Sequence, residues 1–381
     1  MEKKVAIVVC AWPPQGGGFG GNAFYHLKQL QKIGYLTRAF TPKYKNIKSP
    51  SNQMVGFLPV IFPIGKAGFL FSLFSELKKF DVIHLYYPFF GTDLIIMLFK
   101  IFHHQKKLIL HYHMDPVGLG FQKFFFKLYL KLFLPSLVML SDKIVVLSWD
   151  HAKHSYINQY FEKNKNKFVE IPNGIEIDIF KLKPKNIQLA NKYNISENNR
   201  VVIFAGGLDD QHFFKGVDVL IRSFSTVVLK NKEARLMIIG DGNKKEYYEK
   251  LANELNLKDW VIFTGWIDNE YLADYYNLGD VFVLPSIERT ESFGIVIAEA
   301  QACGLPAIIS NWPGSRLTIE NTVTGFLVKP NDSRALAEKL IFLLENPDLM
   351  KKMGEAAIKR VGEKYSWSVV IKEIDKLYQG L

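Results

Sequence analysis

Two glutamates with seven residues between them, Glu291 and Glu299, give the clearest indication of chemistry in this sequence. Glu291 stands at the mouth of a predicted helix, and Glu299 is expected two turns into it. The first backbone N–H groups of a helix have no partner inside it and attract anions. One carboxylate beside such a phosphate site and a second one further along suit the hydroxyl groups of a nucleotide sugar. The N–H groups predicted to face the phosphate belong to Phe293, Gly294 and Ile295.

A strand and a loop are expected to position this helix. The apolar run 281–285 predicts a strand, and residues 286–291 predict a polar loop. Ser292 is the predicted N-cap, and Gly304 followed by Pro306 ends the helix. Apolar strands alternate with helical stretches along the whole chain, which is typical of parallel sheets covered by helices on both faces. We therefore predict an α/β fold.

A glycine-rich turn follows the first predicted strand of the second half, residues 200–205, and ends at Lys215. The lysine stands before a predicted helix, where the macrodipole disfavours a cation unless it meets an anion. No D-x-D metal motif is present in the sequence, and the nearest approach to one is Glu176-Ile-Asp178. We therefore expect the helix start and Lys215 to stabilise the charge of a phosphate group without a metal ion.

Residues 291–306, which read ESFGIVIAEAQACGLP, resemble the E-x7-E motif of the retaining glycosyltransferases of family 4, the glycosyl transferases group 1. The resemblance implies the GT-B fold, with two Rossmann-like domains whose parallel sheets face each other across a cleft. Residues 1–173 would be the acceptor-binding domain, and residues 174–364 would bind the nucleotide sugar. Residues 365–381 resemble the last helix of the family, which packs back on the N-terminal domain.

This resemblance also implies an activity and a set of residues. The activity is retaining transfer of a hexosyl group from a nucleoside diphosphate sugar to an acceptor hydroxyl, in cell-envelope, lipopolysaccharide or lipid-linked glycan synthesis, with no cofactor. The implied catalytic residues are His113 near the donor sugar, Lys215 at the diphosphate and Glu291 at the sugar ring, while Glu299 holds the ribose. The other implied donor-binding residues are Gly16, Gly17, Gly18, Gly207 (where the family has an arginine), Gly265, Trp266, Ser292, Phe293, Gly294 and Ile295.

Two further patterns permit other interpretations. Gly16, Gly18 and Gly21 match G-x-G-x-x-G, which would indicate an NAD-dependent oxidoreductase, but no acid ends the second predicted strand. His111, His113 and Asp115 alternate at a strand end, so a metal site there is an alternative to a buried structural histidine. A GT-B-type nucleotide-sugar epimerase and a nonenzymatic basic binding protein are the remaining rival functions.

The charge distribution bears on the partners. The formal net charge is +11, yet no nucleic-acid-binding module accompanies it, so we expect no nucleic-acid partner. Residues 121–140 carry a lysine every fourth position beside apolar residues. That pattern fits a helix on an anionic membrane surface, and it equally fits a surface helix with snorkelling lysines. The apolar run 5–11 is too short for a signal peptide, so the expected location is the cytoplasm, including the inner face of its membrane.

Overall fold

A computed structural model describes residues 3–13, 17–43, 54–116 and 120–381. The chain divides into two compact units. Unit 1 contains the described residues up to Gly174 together with Trp367–Leu381, and unit 2 contains Ile175–Ser366. The polypeptide therefore leaves unit 1 after Gly174 and returns to it at Trp367.

Unit 1 is built on a parallel sheet with strand order β3-β2-β1-β6-β7-β8-β9, and β4 and β5 form a separate antiparallel pair. Its helices α3 and α4 pack on one face of the sheet, and α1 and α13 pack on the other. The strands are β1 Lys4–Val8, β2 Leu36–Pro42, β3 Val55–Leu58, β4 Ile61–Ile64, β5 Ala67–Phe69, β6 Val82–Tyr87, β7 Lys107–Tyr112, β8 Lys143–Val146 and β9 Phe168–Glu170. The helices are α1 Gly17–Lys32, α2 Leu73–Leu77, α3 Thr92–Phe102, α4 Phe121–Leu140, α5 Trp149–Lys153 and α13 Trp367–Gln379.

Unit 2 has its own parallel sheet, with strand order β12-β11-β10-β13-β14-β15. The near-continuous apolar strands are buried, as expected for a sheet covered on both faces. The strands are β10 Arg200–Ala205, β11 Ala234–Ile239, β12 Val261–Gly265, β13 Val281–Leu284, β14 Ala307–Ser310 and β15 Gly325–Val328. The helices are α6 Ile187–Lys192, α7 Val217–Lys230, α8 Lys245–Glu254, α9 Asn269–Tyr276, α10 Ile295–Ala302, α11 Ser333–Glu345 and α12 Pro347–Lys364.

The parallel α/β architecture predicted from the sequence is confirmed, with some local differences. Residues 149–160, whose sequence predicts one helix, form α5 followed by a 3-10 turn at Tyr156–Tyr160. Strands β3, β4, β5 and β15 were not predicted, because each is too short to show a clear period. Within the described ranges, no helix has both the length and the apolar character that crossing a bilayer requires.

Candidate functional site

The carboxyl ends of the paired strands β10 and β13 bring Lys215 and Glu291 together. The Lys215 ammonium nitrogen lies 2.8 Å from Glu291 Oε2, and the two side chains are only 10% and 16% exposed. Because an ion pair that is nearly buried has lost most of its hydration, its two charges must be stabilised by each other and by neighbouring protein groups. Two residues that the sequence analysis selected separately therefore form one charged centre.

The loops around this pair are locked by close backbone contacts. Gly216 has φ +71, and a Cβ there would lie 2.1 Å from the Pro285 carbonyl oxygen. The Ile287 N–H donates to the Phe214 carbonyl at 2.7 Å, which ties the loop after β13 to the turn before α7. A Cβ at Gly206 would lie 2.7 Å from Lys215 Cδ, so the bare glycine leaves room for the lysine stem.

The helix that follows Glu291 begins later than the sequence suggested. Its N-cap is Gly294, with φ +79, so the prediction of Ser292 as the N-cap is wrong. Glu291 Oε1 accepts a hydrogen bond from the Gly294 N–H at 3.1 Å, so this N–H is not unpaired as expected. Ser292 and Phe293 are buried, and the Phe293 ring packs edge-on against Tyr365. Ile295 is the first helical residue.

Glu299 is the fifth residue of α10, just over one turn from its start rather than two. The Tyr276 hydroxyl donates to Glu299 Oε2 at 3.3 Å. Burial raises the pKa of Glu299 to about 7, although the bond from Tyr276 opposes this rise. At neutral pH this carboxyl group can therefore both accept and donate hydrogen bonds to hydroxyl groups.

Three neighbouring strand ends bring the other predicted loops of unit 2 to the same edge of the sheet. The Gly240 N–H donates to the Gly265 carbonyl at 3.0 Å, and the Gly206 N–H donates to the Ile239 carbonyl at 2.9 Å. A Cβ at Gly240 would lie 1.9 Å from the Gly206 carbonyl oxygen. The loops that contain Gly207 and Gly265 are therefore held side by side.

His212 fills the space beside Gly207. A Cβ at Gly207 would come within 2.6 Å of His212 Nδ1, and that nitrogen lies 2.8 Å from Asp209 Oδ1. Asp209 also accepts the backbone N–H of His212 at 3.1 Å. Gly207, at the position that the resemblance assigns to an arginine, therefore has no side chain. The adjacent space is filled by His212, whose ring is oriented by the Asp209 carboxylate.

Trp266 borders an open concavity of about 280 Å³ in unit 2. Its ring is 58% exposed, and its indole N–H donates to Asp268 at 3.1 Å. The same concavity is lined by Leu189, Ile267 and Tyr271. An exposed aromatic face of this kind can stack on a planar ring.

In unit 1, His113 follows the last residue of β7 and lies in a cluster of aromatic rings. It stacks on Tyr86 at 4.7 Å between ring centroids, and the Phe19 ring meets it edge-on at 4.9 Å. Its Nε2 is buried and has no hydrogen-bond partner among the described residues. Burial holds the pKa of His113 well below its ordinary range, so the ring is neutral at pH 7. A neutral, unsatisfied nitrogen of this kind is available to a ligand hydroxyl.

The metal alternative at β7 is not supported. Asp115 accepts from the Tyr112 hydroxyl, and Tyr112 belongs to the core on the other face of the sheet from His111. The predicted position of Asp115 on the side of the two histidines is wrong, because strand alternation ends at Tyr112. Within the described parts of the chain, no group of three or more metal-ligating side chains is present.

Only part of the N-terminal glycine pattern, Gly16 to Gly21, lies within the described residues. Gly16 lies outside the described residues, while Gly17, with φ +52, and Gly18 are exposed at the start of α1. Gly20 makes the close approach, because a Cβ there would lie 2.7 Å from the Ala11 carbonyl oxygen. A Cβ at Gly21 would meet nothing within 4 Å in the described parts of the chain, so Gly21 does not serve the tight helix–strand packing of a dinucleotide fingerprint.

Sequence reasoning missed three residues of the unit 2 site. Tyr276, the partner of Glu299, stands in a helix that carries no motif, so nothing in the sequence marked it. Gly240 and Gly242 form close backbone contacts beside the Gly206–Leu208 loop. The Gly-Asp-Gly step directly after the apolar run of β11 was the signal that could have revealed them.

This chain has two α/β units, each built on a parallel sheet, and the candidate site of unit 2 lies at the carboxyl ends of its strands. These features are typical of the GT-B class of proteins. The crystal structure of Anabaena HepE in complex with UDP and glucose superimposes with a TM-score of 0.80 at 18% identity, covering 100% of both chains. This likeness confirms the predicted GT-B fold.

Sequence comparison then gives the family. Residues 186–360 match the family model described as glycosyl transferases group 1. An uncharacterized glycosyltransferase of Methanocaldococcus jannaschii is 31% identical over 58% of this chain and 55% of its own length. A phosphatidyl-myo-inositol mannosyltransferase of Mycobacterium leprae is 32% identical over 55% of this chain and 53% of its own length. Residues 186–360 thus match the glycosyl transferases group 1 family, and the chain spans a little over half the length of these relatives.

Proposed function

We propose that this protein is a glycosyltransferase that moves a hexosyl group from a nucleoside diphosphate sugar to an acceptor hydroxyl. The observation that carries the proposal is the ion pair between Lys215 and Glu291 beside the N–H of Gly294. This pair lies in the loops after β10 and β13, within the residues that match the glycosyl transferases group 1 model. A buried cation, an acid and a helix start are the groups that a sugar diphosphate requires.

The ion pair suggests how the donor enters the site. Glu291 accepts hydrogen bonds from both the Lys215 ammonium and the Gly294 N–H. A diphosphate that binds these two groups must displace the Glu291 carboxylate, which is then free to accept hydrogen bonds from the sugar hydroxyls. Glu299 and its partner Tyr276 would hold the ribose, and the loop with Gly265 and Trp266 would meet the base.

The proposed chemistry breaks the bond between the sugar anomeric carbon and the diphosphate oxygen and forms a bond to the acceptor oxygen. The acceptor proton passes to the leaving diphosphate, so no covalent nucleophile is required. Attack on the face that the diphosphate leaves gives retention of the anomeric configuration. Lys215 and the N–H groups at the start of α10 stabilise the charge that develops on the diphosphate. We propose that these groups act without a metal ion.

The roles in unit 1 are proposals of the same kind. The unsatisfied Nε2 of His113 supports a hydrogen bond to a hydroxyl of the donor sugar. Gly16, Gly17 and Gly18 stay predicted contacts of the donor. The acceptor is proposed to be a cell-envelope or lipid-linked glycan, bound by residues 1–173, because the Mycobacterium leprae relative is a phosphatidyl-myo-inositol mannosyltransferase. The site of action is proposed to be the cytoplasmic face of the membrane.

A thermal-shift panel tests the donor site. UDP, GDP, ADP and NAD are each added to the wild type, to Glu299→Ala and to Glu246→Ala, whose exposed carboxylate is a matched control. We expect one nucleoside diphosphate to raise the melting temperature of the wild type and the control but not of Glu299→Ala. UDP is the first choice, because HepE was crystallised with it. A shift with NAD alone, or an equal shift in Glu299→Ala, would refute the proposed site.

Turnover experiments test the finer points. With the donor that the panel selects, product NMR is expected to show the anomeric configuration of the donor. Activity is expected to survive EDTA, and its loss would contradict the metal-free mechanism. The rival functions, epimerase and NAD-dependent oxidoreductase, are not favoured by the family and fold comparisons.

A further inference from the structure

The helices α3 and α4 of unit 1 expose large apolar side chains on their outer surfaces. Each of these side chains is between 44% and 68% exposed, although the opposite sides of both helices are buried in one core. Soluble monomers rarely expose a contiguous apolar surface of this kind without a partner for it. We call this surface the α3–α4 face; its apolar members are Leu98, Ile101, Phe102, Phe124, Leu128 and Leu132.

The two helices form one layer, so their outer sides point the same way. Both pack on the same side of the sheet, and the Phe90 ring, just before α3, stacks on Phe126 of α4 at 4.9 Å. The Tyr129 hydroxyl of α4 donates to Asp93 of α3 at 2.5 Å. The exposed side chains of α3 and α4 therefore lie on one outer surface of unit 1.

The lysines of α4 share its outer side with the apolar residues. Lys123, Lys127 and Lys131 are exposed, and each directly precedes one of the apolar residues Phe124, Leu128 and Leu132. On the inner side of the same helix, Tyr129, Leu130 and Leu134 are buried. Helix α4 of 20 residues is about 30 Å long, and the pairs of lysine and apolar side chain from Lys123 to Leu132 extend over about half of that length.

The charge of helix α4 is entirely positive. Residues 121–140 contain three lysines and no acid, whereas Lys100, Lys106 and Lys107 pair with Asp142 or Asp81. Two copies of the face brought together would oppose their lysine rows, which disfavours self-association. An anionic lipid surface supplies both an apolar layer for the Phe and Leu side chains and negative charge for the lysines.

We propose that the α3–α4 face is a docking surface for an anionic lipid bilayer, with α4 lying in the plane of the interface. Of the two interpretations of residues 121–140 that the sequence left open, the proposal adopts the membrane surface. This proposal concerns unit 1 alone and does not depend on the donor site proposed in unit 2.

Vesicle flotation tests the proposal with the full-length chain. The vesicles contain either equal parts of phosphatidylglycerol and phosphatidylcholine or phosphatidylcholine alone, at low ionic strength. We expect the wild type to float with the anionic vesicles and to bind the neutral ones at least about tenfold more weakly. Raising the salt is expected to release it, because screening weakens the attraction of exposed lysines.

Two triple variants separate the apolar and the charged contributions. Phe124→Ser/Leu128→Ser/Leu132→Ser is expected to bind anionic vesicles at least about tenfold more weakly than the wild type. Lys123→Glu/Lys127→Glu/Lys131→Glu is expected to lower the partition roughly a hundredfold, since each lysine near an anionic surface contributes about 1 kcal/mol. The matched control Ile187→Ser/Leu229→Ser/Phe342→Ser removes exposed apolar residues of unit 2 and is expected to bind like the wild type.

The outcomes are distinct. Absence of wild-type binding, equal binding to neutral vesicles, or unchanged binding of either α4 variant would overturn the proposal. A wild-type dimer in light scattering that the α4 variants convert to monomers would also overturn it, in favour of self-association. The nucleotide thermal shift measured on the same variants is expected to be unchanged. If vesicle binding holds while no nucleotide shift exists in any of them, the proposed function fails and the docking surface stands.

Discussion

The two units differ in how their notable residues are held together. In unit 2 the site consists of loops at adjacent strand ends, and short runs of sequence carry most of it. In unit 1 the buried polar residues come from distant parts of the chain: His26 lies in α1, His84 in β6, His111 in β7 and Tyr378 in α13. His84 bonds to both His111 and Tyr378, at 3.0 and 2.7 Å. The site residues of unit 2 can therefore be recognised from short sequence motifs, whereas the histidine cluster of unit 1 can be recognised only from the tertiary structure.

The largest expected effect concerns the charged centre of unit 2. Lys215→Met removes the partner of Glu291 and the cation proposed for the diphosphate, so we expect kcat to fall by about a hundredfold to a thousandfold. The measurement is turnover with the donor that the nucleotide panel identifies. Lys244→Met is the matched control, because this lysine pairs with an exposed aspartate at a more open position. Equal rates for the two variants would remove Lys215 from the mechanism.

The next effect tests the buried acid of unit 2 through pH. The pKa of Glu299 is raised to about 7, so between pH 4.5 and 7 the folded protein holds a proton that the unfolded chain releases. Stability therefore falls as the pH rises through this window, by roughly 3 kcal/mol in total. Glu299→Gln cannot titrate and is expected to lose this dependence. Urea unfolding from pH 5 to 8 measures it, and parallel profiles for both proteins would contradict the shifted pKa.

Acid is expected to act on unit 1 in the opposite direction. Burial lowers the pKa of His26 to about 3, so below pH 6.5 the unfolded chain binds a proton that the folded one excludes. At pH 5 this costs about 2 kcal/mol of stability from His26 alone. The groups that face His26 are His84, Tyr86 and Tyr378, and burial lowers the pKa of His84 as well.

The comparison of His26→Gln with the exposed control His104→Gln isolates this contribution. We expect the free energy of unfolding of His26→Gln to fall less between pH 7 and pH 5 than that of the control, by about 2 kcal/mol. A denaturant series at the two pH values measures it. Identical losses in both variants would show that His26 does not carry the acid sensitivity of unit 1.

The smallest expected effect concerns the contact between α13 and β6. Tyr378→Phe removes the hydroxyl that lies 2.7 Å from His84 Nδ1 and leaves that buried nitrogen without its partner. We expect a loss of about 1 kcal/mol of stability. Tyr247→Phe, at a half-exposed position of unit 2, serves as the control and is expected to change little. Equal melting temperatures for the two variants would mean that the bond to His84 contributes nothing.

The sequence predicted the fold class and the chain positions of the parallel strands well, because buried strands are runs of apolar residues bounded by turns. It also indicated Lys215 and Glu291, since each lies in the loop that follows such a run. It did not predict their ion pair, which joins residues 76 positions apart in the chain. The N-cap at Gly294 was missed because the Glu291 carboxylate satisfies the N–H that Ser292 was expected to cap. The histidine cluster left no local pattern, since its members lie on separate elements.

The return of the chain to unit 1 at Trp367 bears on the order in which the protein is made. The core around His84 and Trp367 needs α13, yet the ribosome synthesises α13 only after all of unit 2. Unit 2 is a continuous segment and can fold while synthesis proceeds. Until α13 emerges, the sheet face that it shares with α1 is only partly covered. A chain that stops before residue 367 would leave part of that apolar face exposed, so we expect it to be bound by chaperones and cleaved by proteases more readily than a chain that includes α13.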